Sequence, residues 1–259
     1  MTQMDLRNKV IVITGGSSGI GEELVKQASG AGAQVYFTYM NGFERAQNIG
    51  RATRAGYKTF LLGDRDQTSS LLDAHMVNSI DYFIANAGIE FSGGLEEHTW
   101  NKIDRVLTTN LNGNLYLLQG FILLKKMIKG GQISVIGSIA ADGNHDQLAY
   151  SASKAGLRGA VESLSRYDKD VKSQELGVKL LEPAFVRTPM TERLLNILER
   201  RMSRKSPDLL ARFKQNNFVM DPSYAAEQIL TLTVDPKVTG VRAIPASAKL
   251  HDIRNEYIG

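Results

Sequence analysis

A tyrosine and a lysine stand four residues apart in Tyr150-Ser151-Ala152-Ser153-Lys154, and the residues that follow, Ala155-Gly156-Leu157-Arg158, continue a helical stretch. At that spacing the two side chains share one helix face, about 6 Å apart along the axis. A free phenol ionises near pH 10 and carries protons poorly at neutrality. An ammonium within roughly 4–6 Å favours the phenolate by about 1–3 pH units, so the pair can act as a tuned acid or base. Isolated Tyr–Lys pairs are also common on solvated helices. The meaning of this one depends on what the rest of the chain places beside it.

The elements around the pair alternate. Lys9-Val10-Ile11-Val12-Ile13-Thr14 is a β-branched run that fits a strand buried on both faces. It stops in Thr14-Gly15-Gly16-Ser17-Ser18-Gly19-Ile20-Gly21, and a helix-favouring segment follows from Glu22 to Ala28. A glycine-rich turn between strand and helix lets backbone N–H groups approach a pyrophosphate at a helix N-terminus. No Gly-Lys-Ser/Thr follows, so it is not a P-loop. Further strands are expected at Gln34–Tyr39, Lys58–Leu62, Ile80–Ala85, Gln132–Ile136 and Val178–Leu181, with an edge strand at Gly240–Pro245. Helices are expected over Phe43–Ala55, Trp100–Leu107, Leu111–Met127, from Tyr150 onward, and over Ser223–Thr233. Strands separated by helices imply right-handed crossovers and a parallel sheet.

The 259 residues are 42% hydrophobic and 22% charged, with a net charge of +4. That composition provides a large core and one domain over 1–259 without a linker. There are no cysteines, which excludes disulfides, thiol nucleophiles and cysteine-ligated metals. The four histidines lack ligand spacing, so no metal is expected. The longest apolar run, Leu115–Leu124, is too short to span a bilayer, and Met1–Asn8 has no secretory apolar region. A cytoplasmic protein is expected, with neither nucleic acid nor membrane as partner. All six prolines follow residue 182, so irregular chain is confined to the last third. There, a substrate lid or loop is expected at about 189–218, rich in Arg193, Arg200, Arg201, Arg204, Lys205, Arg212 and Lys214. It reads as a solvated helical face or as a clamp for an anionic substrate group.

Taken together, Thr14–Gly21, Asn86-Ala87-Gly88, Asn110, Ser138 and the Tyr150–Lys154 pair resemble the compact single-domain branch of the short-chain dehydrogenase/reductase family. The resemblance covers nearly the whole chain. It implies a Rossmann-like, doubly wound α/β fold, with a parallel sheet of about seven strands and helices on both faces. It implies a hydride exchange between NADP(H) or NAD(H) and a ketone or secondary alcohol. Tyr150 would be the proton donor and acceptor. Lys154 would hold the nicotinamide ribose and lower the Tyr150 pKa, Ser138 would bond the substrate oxygen, and Asn110 would hold a relay water. Gly15, Ser17, Ser18, Gly19, Ile20 and Gly21 would line the pyrophosphate. Tyr39 and Asp64 would lie toward the adenosine, and Asn86, Ala87 and Gly88 at the central strands. Pro183, Val186 and Thr188 would border the nicotinamide. A homodimer or homotetramer packed through Leu111–Met127 and Ser151–Val171 is also implied.

Three departures accompany the resemblance. Ala184 replaces the usual glycine after proline, Ser138 and Tyr150 are one position closer than usual, and the Asp64–Asn86 segment is short. Cofactor choice is a charge argument: Tyr39 stands where a carboxylate would repel a 2′-phosphate, which favours NADP(H), with Arg45 as a compensating base. The alternative function is a catalytically silent nucleotide-binding regulator or scaffold. A nucleotide-sugar epimerase or dehydratase would need a larger substrate domain. The pocket is expected near Ile89–Gly94 and Ala140–Leu148, in loops.

Overall fold

The computed structural model describes residues 4–74, 78–144, 146–205 and 219–244. Seven parallel strands form one sheet in the order β3-β2-β1-β4-β5-β6-β7. The strands are β1 (Val10–Ile13), β2 (Gln34–Tyr39), β3 (Gly56–Thr59), β4 (Ile80–Ala85), β5 (Met127–Ile136), β6 (Gly177–Pro183) and β7 (Gly240–Ile244). Between them run α1 (Gly19–Gly30), α2 (Phe43–Thr53), α3 (Arg65–Leu72), α4 (Trp100–Leu107) and α5 (Gly113–Leu123). After β5 come α6 (Leu148–Tyr167), α7 (Lys169–Ser173), α8 (Glu192–Lys205) and α9 (Pro222–Val234).

The alternation of β1 explains the two layers. Ile11 and Ile13 are buried in a core shared with Leu24, Val25 and Ala28 of α1 and with Ile229 and Leu230 of α9. Val12 points to the opposite core, with Leu117 and Phe121 of α5 and Leu157 and Val161 of α6. Phe83 of β4 stacks on Phe121 at 4.1 Å between ring centroids. Each such fully buried side chain stabilises the fold by roughly 1.5–3 kcal/mol. Lys179 of β6 is a charged group among the interior residues. It is fully buried and its ammonium donates to the carbonyls of Leu232, Thr233 and Asp235, so a cation caps the negative C-terminal end of α9.

Strand order reverses between β1 and β4, which both leave the sheet at their C-terminal edges beside one another. A crevice opens there, as open α/β sheets require at a switch point.

Several boundaries differ from expectation. The third strand is Gly56–Thr59, not Lys58–Leu62. It pairs from Tyr36↔Gly56 to Tyr39↔Thr59, so Phe60 and Leu62 are buried beyond the end of the strand. The helix expected over Leu111–Met127 stops at Leu123, because Lys125 takes φ +50° and turns the chain. The fifth strand therefore begins at Met127, running through Gly130-Gly131 with a shift of register against β4. A π-turn at Thr108–Asn112 separates α4 from α5. Of the expected lid, the described part is α8; residues 206–218 lie outside the described residues, as do His75, His145 and His251. Among the described residues no helix is long and apolar enough to cross a membrane, and no cluster of ligating side chains could hold a metal ion.

Candidate active site

A cleft of about 320 Å³ runs along the C-terminal edge of the sheet. Its floor is the turn from β1 into α1. Gly15 and Gly19 adopt φ +69° and +54°, in the left-handed region that glycine enters without strain. At Gly21, a Cβ would lie 2.0 Å from the Gly15 carbonyl oxygen, so only glycine lets the turn close onto the helix. The first-turn N–H groups of α1 have no intrahelical partner, and Ser18, its N-cap, makes no side-chain cap bond. This is an anion cradle, and its shape and polarity fit a dinucleotide pyrophosphate.

Asn86 fastens the second side of the cleft to the first. Its amide donates to the carbonyls of Thr14 (3.0 Å) and Gly15 (3.2 Å), while its N–H and that of Ala87 both donate to the Thr14 hydroxyl at 3.0 Å. The third side is the chain after β6. Thr188 packs against Gly19, where a Cβ would meet its methyl at 3.1 Å, and the Thr188 N–H donates to the Thr191 hydroxyl at 3.0 Å.

The expected site residues converge here with two exceptions. Gly15, Ser17, Ser18, Gly19, Ile20, Gly21, Tyr39, Asn86, Ala87, Gly88, Ser138, Tyr150, Lys154, Pro183, Val186 and Thr188 all line the cleft. Asp64 does not. Its carboxylate caps α3 by accepting from the Gln67 N–H at 2.9 Å. Asn110 is fully buried behind the wall, its side chain paired with both the N–H and the carbonyl of Ile89 at 2.8 Å; its own carbonyl accepts from Asn114 at 2.7 Å. Arg45 also stays outside the cleft, donating to Glu22 at 2.8 Å.

Tyr150 sits in the first turn of α6, which begins at Leu148, and Lys154 lies one turn on. The Lys154 ammonium is 5.6 Å from the centre of the Tyr150 ring and donates to the Ile136 carbonyl at 2.8 Å. Ser138 caps the turn after β5, accepting from the Ala140 N–H at 3.1 Å, and lines the cleft beside Tyr150. The net shift of the phenol's pKa is upward, because burial dominates it. Burial pushes Tyr150 up to about 12, with the Ser138 hydroxyl pulling down and the Glu90 charge adding to the rise. Burial also lowers Lys154 to about 8, against the attraction of Glu182. At neutral pH the phenol is thus protonated and the lysine still mostly charged. Glu182 in turn is bound by Arg158, whose guanidinium spans to Asp142 at 2.6 Å.

Of the pocket ranges Ile89–Gly94 and Ala140–Leu148, the structure brings Ile89, Glu90, Ala140, Asn144 and Gln147 to the cleft. Their types carry no periodic signal, so only folding brings them together.

A doubly wound parallel sheet with a glycine cradle at its switch point, and a serine, a tyrosine and a lysine beside it, defines an NAD(P)-dependent oxidoreductase. Comparison with known proteins agrees: residues 9–197 match the model of the short chain dehydrogenase family. The chain belongs to that family. It is 31% identical over 196 residues to a 3-oxoacyl-[acyl-carrier-protein] reductase of Rickettsia prowazekii, covering 74% of this chain and 78% of the relative. It is 29% identical to an acetoacetyl-CoA reductase of Synechocystis, over 93% and 95% of the two chains. A dehydrogenase/reductase from Sinorhizobium meliloti superposes with a TM-score of 0.78 at 26% identity, over 95% and 98%. A short chain dehydrogenase from Burkholderia cenocepacia, solved with NADP, superposes equally well at 24% identity, over 94% and 99%.

Proposed function

We propose that this protein reduces a ketone to a secondary alcohol with NADPH. The observation that carries the reading is the gathering of the Tyr150 phenol, the Ser138 hydroxyl and the Lys154 ammonium at one end of a cleft whose other end is an anion cradle. The reduced nicotinamide, when bound, supplies hydride to the carbonyl carbon. Ser138 donates to the carbonyl oxygen and orients it. Tyr150 gives its proton to that oxygen as negative charge develops there. A phenol held near 12 keeps its proton at neutral pH, which suits the reductive direction. Lys154, drawn toward the cleft between Ile136 and Gly88, holds ribose hydroxyls and supplies positive charge beside Tyr150.

NADP(H) is favoured over NAD(H) because Tyr39, Met40 and Asn41 line the cleft at the end of β2 without a carboxylate. The Burkholderia structure holding NADP supports the same choice. The carbonyl chemistry is supported by the two relatives named as 3-oxoacyl and acetoacetyl reductases. Arg193, Arg200 and Arg204 of α8 are exposed and do not line the cleft, so these three lend no support to a clamp for an anionic substrate group. We read residues 1–259 as one domain, supported by a sheet that draws its strands from Val10 to Ile244. A homodimer or homotetramer packed through α5 and α6 is supported by the exposed Tyr116, Leu123 and Leu148, and we read the location as cytoplasmic, a reducing compartment being compatible with a chain that has no cysteine. Thermal unfolding with each cofactor tests the reading without a substrate. At about 100 Kd a bound cofactor adds about 2.7 kcal/mol, which raises Tm by roughly 5–10 °C. A shift with NADPH exceeding that with NADH is expected. No shift with either would refute the cofactor reading.

A further inference from the structure

The wall of the cleft facing Tyr150 contains a carboxylate that the reaction chemistry does not require. Glu90 follows Ala87-Gly88-Ile89 out of β4 and lines the cleft with Ser138 and Tyr150. Its Oε1 accepts from the Gln147 amide at 3.0 Å and from the Ser92 hydroxyl. Gln147 and Ser92 are 2% and 7% exposed, and the Gln147 carbonyl is itself fixed by the Asn144 amide at 2.7 Å. Glu90 is therefore held in one orientation by buried groups. Its Oε2 has no partner among the described residues, and Glu90 has no ion pair among them.

Holding the two loops together does not explain the carboxylate. The Gly93 N–H already donates to the Asp146 carbonyl at 2.9 Å, and the His98 ring lies 3.2 Å from the Gly93 carbonyl and 3.4 Å from that of Asp146. That clamp would persist with a neutral residue at 90. A charged acceptor fixed beside an apolar cleft loses hydration when a ligand enters, and is left at a loss unless the ligand brings a donor.

We infer that Glu90 is a specificity-determining residue, and that the substrate carries a hydroxyl next to its reacting carbonyl: a hydroxy ketone, or a vicinal diol in the reverse direction. This rests on the ketone-reductase reading above. Two neutral donors already occupy Oε1, which leaves the two lone pairs of Oε2 for a ligand. An O–H uses one of them, whereas an ammonium brings three N–H groups and leaves at least one without an acceptor on this carboxylate. A carboxylate at the same place would face Glu90 charge to charge. The charge of Glu90 also reaches the reacting end, since it adds to the proton affinity of Tyr150.

The test compares kcat/KM, by NADPH consumption, for hydroxyacetone and butanone, which differ by a hydroxyl in place of a methyl, and for aminoacetone and acetoacetate. A bond from a donor to a charged acceptor predicts that hydroxyacetone exceeds butanone by about 10- to 100-fold, with acetoacetate poorest. Glu90→Gln should bring the hydroxyacetone-to-butanone ratio to within about threefold of unity and raise acetoacetate relative to butanone. A ratio near unity in the unaltered protein, or one that survives Glu90→Gln, overturns the inference; aminoacetone above hydroxyacetone overturns the hydroxyl assignment. If none of the ketones is reduced, the ketone-reductase reading fails for them. The inference is then read from binding alone: in the NADP⁺ complex, 1,2-propanediol should raise Tm more than 2-butanol, an advantage lost in Glu90→Gln. Equal shifts overturn it.

Discussion

A single methyl group at Gly21 should separate cofactor binding from folding. The Cβ of Gly21→Ala would lie 2.0 Å from the Gly15 carbonyl oxygen and 2.6 Å from the Asn86 amide nitrogen, where real contacts are almost never below 3.0 Å. Relief requires the turn and the start of α1 to part by about 1 Å. Hydrogen bonds from that turn to a phosphate, normally about 2.7–2.9 Å, would stretch beyond useful range. Losing two such charge-assisted bonds, at about 1.5–3 kcal/mol each, weakens NADPH binding by a factor of about 100 or more. The assay is a titration with NADPH followed by the fluorescence of the reduced nicotinamide, with circular dichroism as the check on folding. Gly30→Ala is the control, because nothing lies within 4 Å of its added Cβ at the far end of the same helix. An NADPH affinity of Gly21→Ala within about threefold of the unaltered protein, in a folded sample, would refute the cradle.

Two further perturbations bear on the charged groups. Burial lowers Lys154 to about 8, and the ammonium is the form that meets the cofactor; raising the pH through 8 removes it. NADPH affinity should therefore be level below pH 8 and decline above it, a decline absent in Lys154→Met, and constant affinity to about pH 10 would contradict the assignment. Arg158→Met strips the guanidinium from Glu182, whose side chain is 7% exposed. Because Arg158 is itself partly exposed, the loss should be about 3 kcal/mol in denaturant unfolding, and Arg158→Met combined with Glu182→Met should recover at least half of it. A double variant as unstable as the single would show that the pair does not carry the effect.

Much of the architecture was legible because its signals are local. The β-branched run before Thr14, the glycines of the turn and the helix after Gly19 each state their conformation within a few residues. The Tyr150–Lys154 spacing is likewise a local fact. What escaped the sequence depends on partners distant in the chain. Lys58–Leu62 reads as the third strand, yet pairing with β2 begins at Gly56 and ends at Thr59, and Phe60 is buried by packing beyond the sheet. Gln132–Ile136 reads as the fifth strand, yet the strand begins at Met127 and passes through Gly130-Gly131. Asp64 is acidic in a turn after β3, and its carboxylate caps α3. The upward shift at Tyr150 is of the same kind, since spacing places the ammonium near the phenol and only the fold reveals the burial that dominates.

The account stands most directly on the proton donor. Consumption of NADPH with a panel of ketones should be measured for the unaltered protein and for Tyr150→Phe, together with NADPH binding to both. The account predicts turnover in the first, a loss of at least a hundredfold in the second, in keeping with the 10²–10⁴ that general acid catalysis supplies, and cofactor affinity within a few-fold of unaltered in both. Turnover that survives Tyr150→Phe would contradict it.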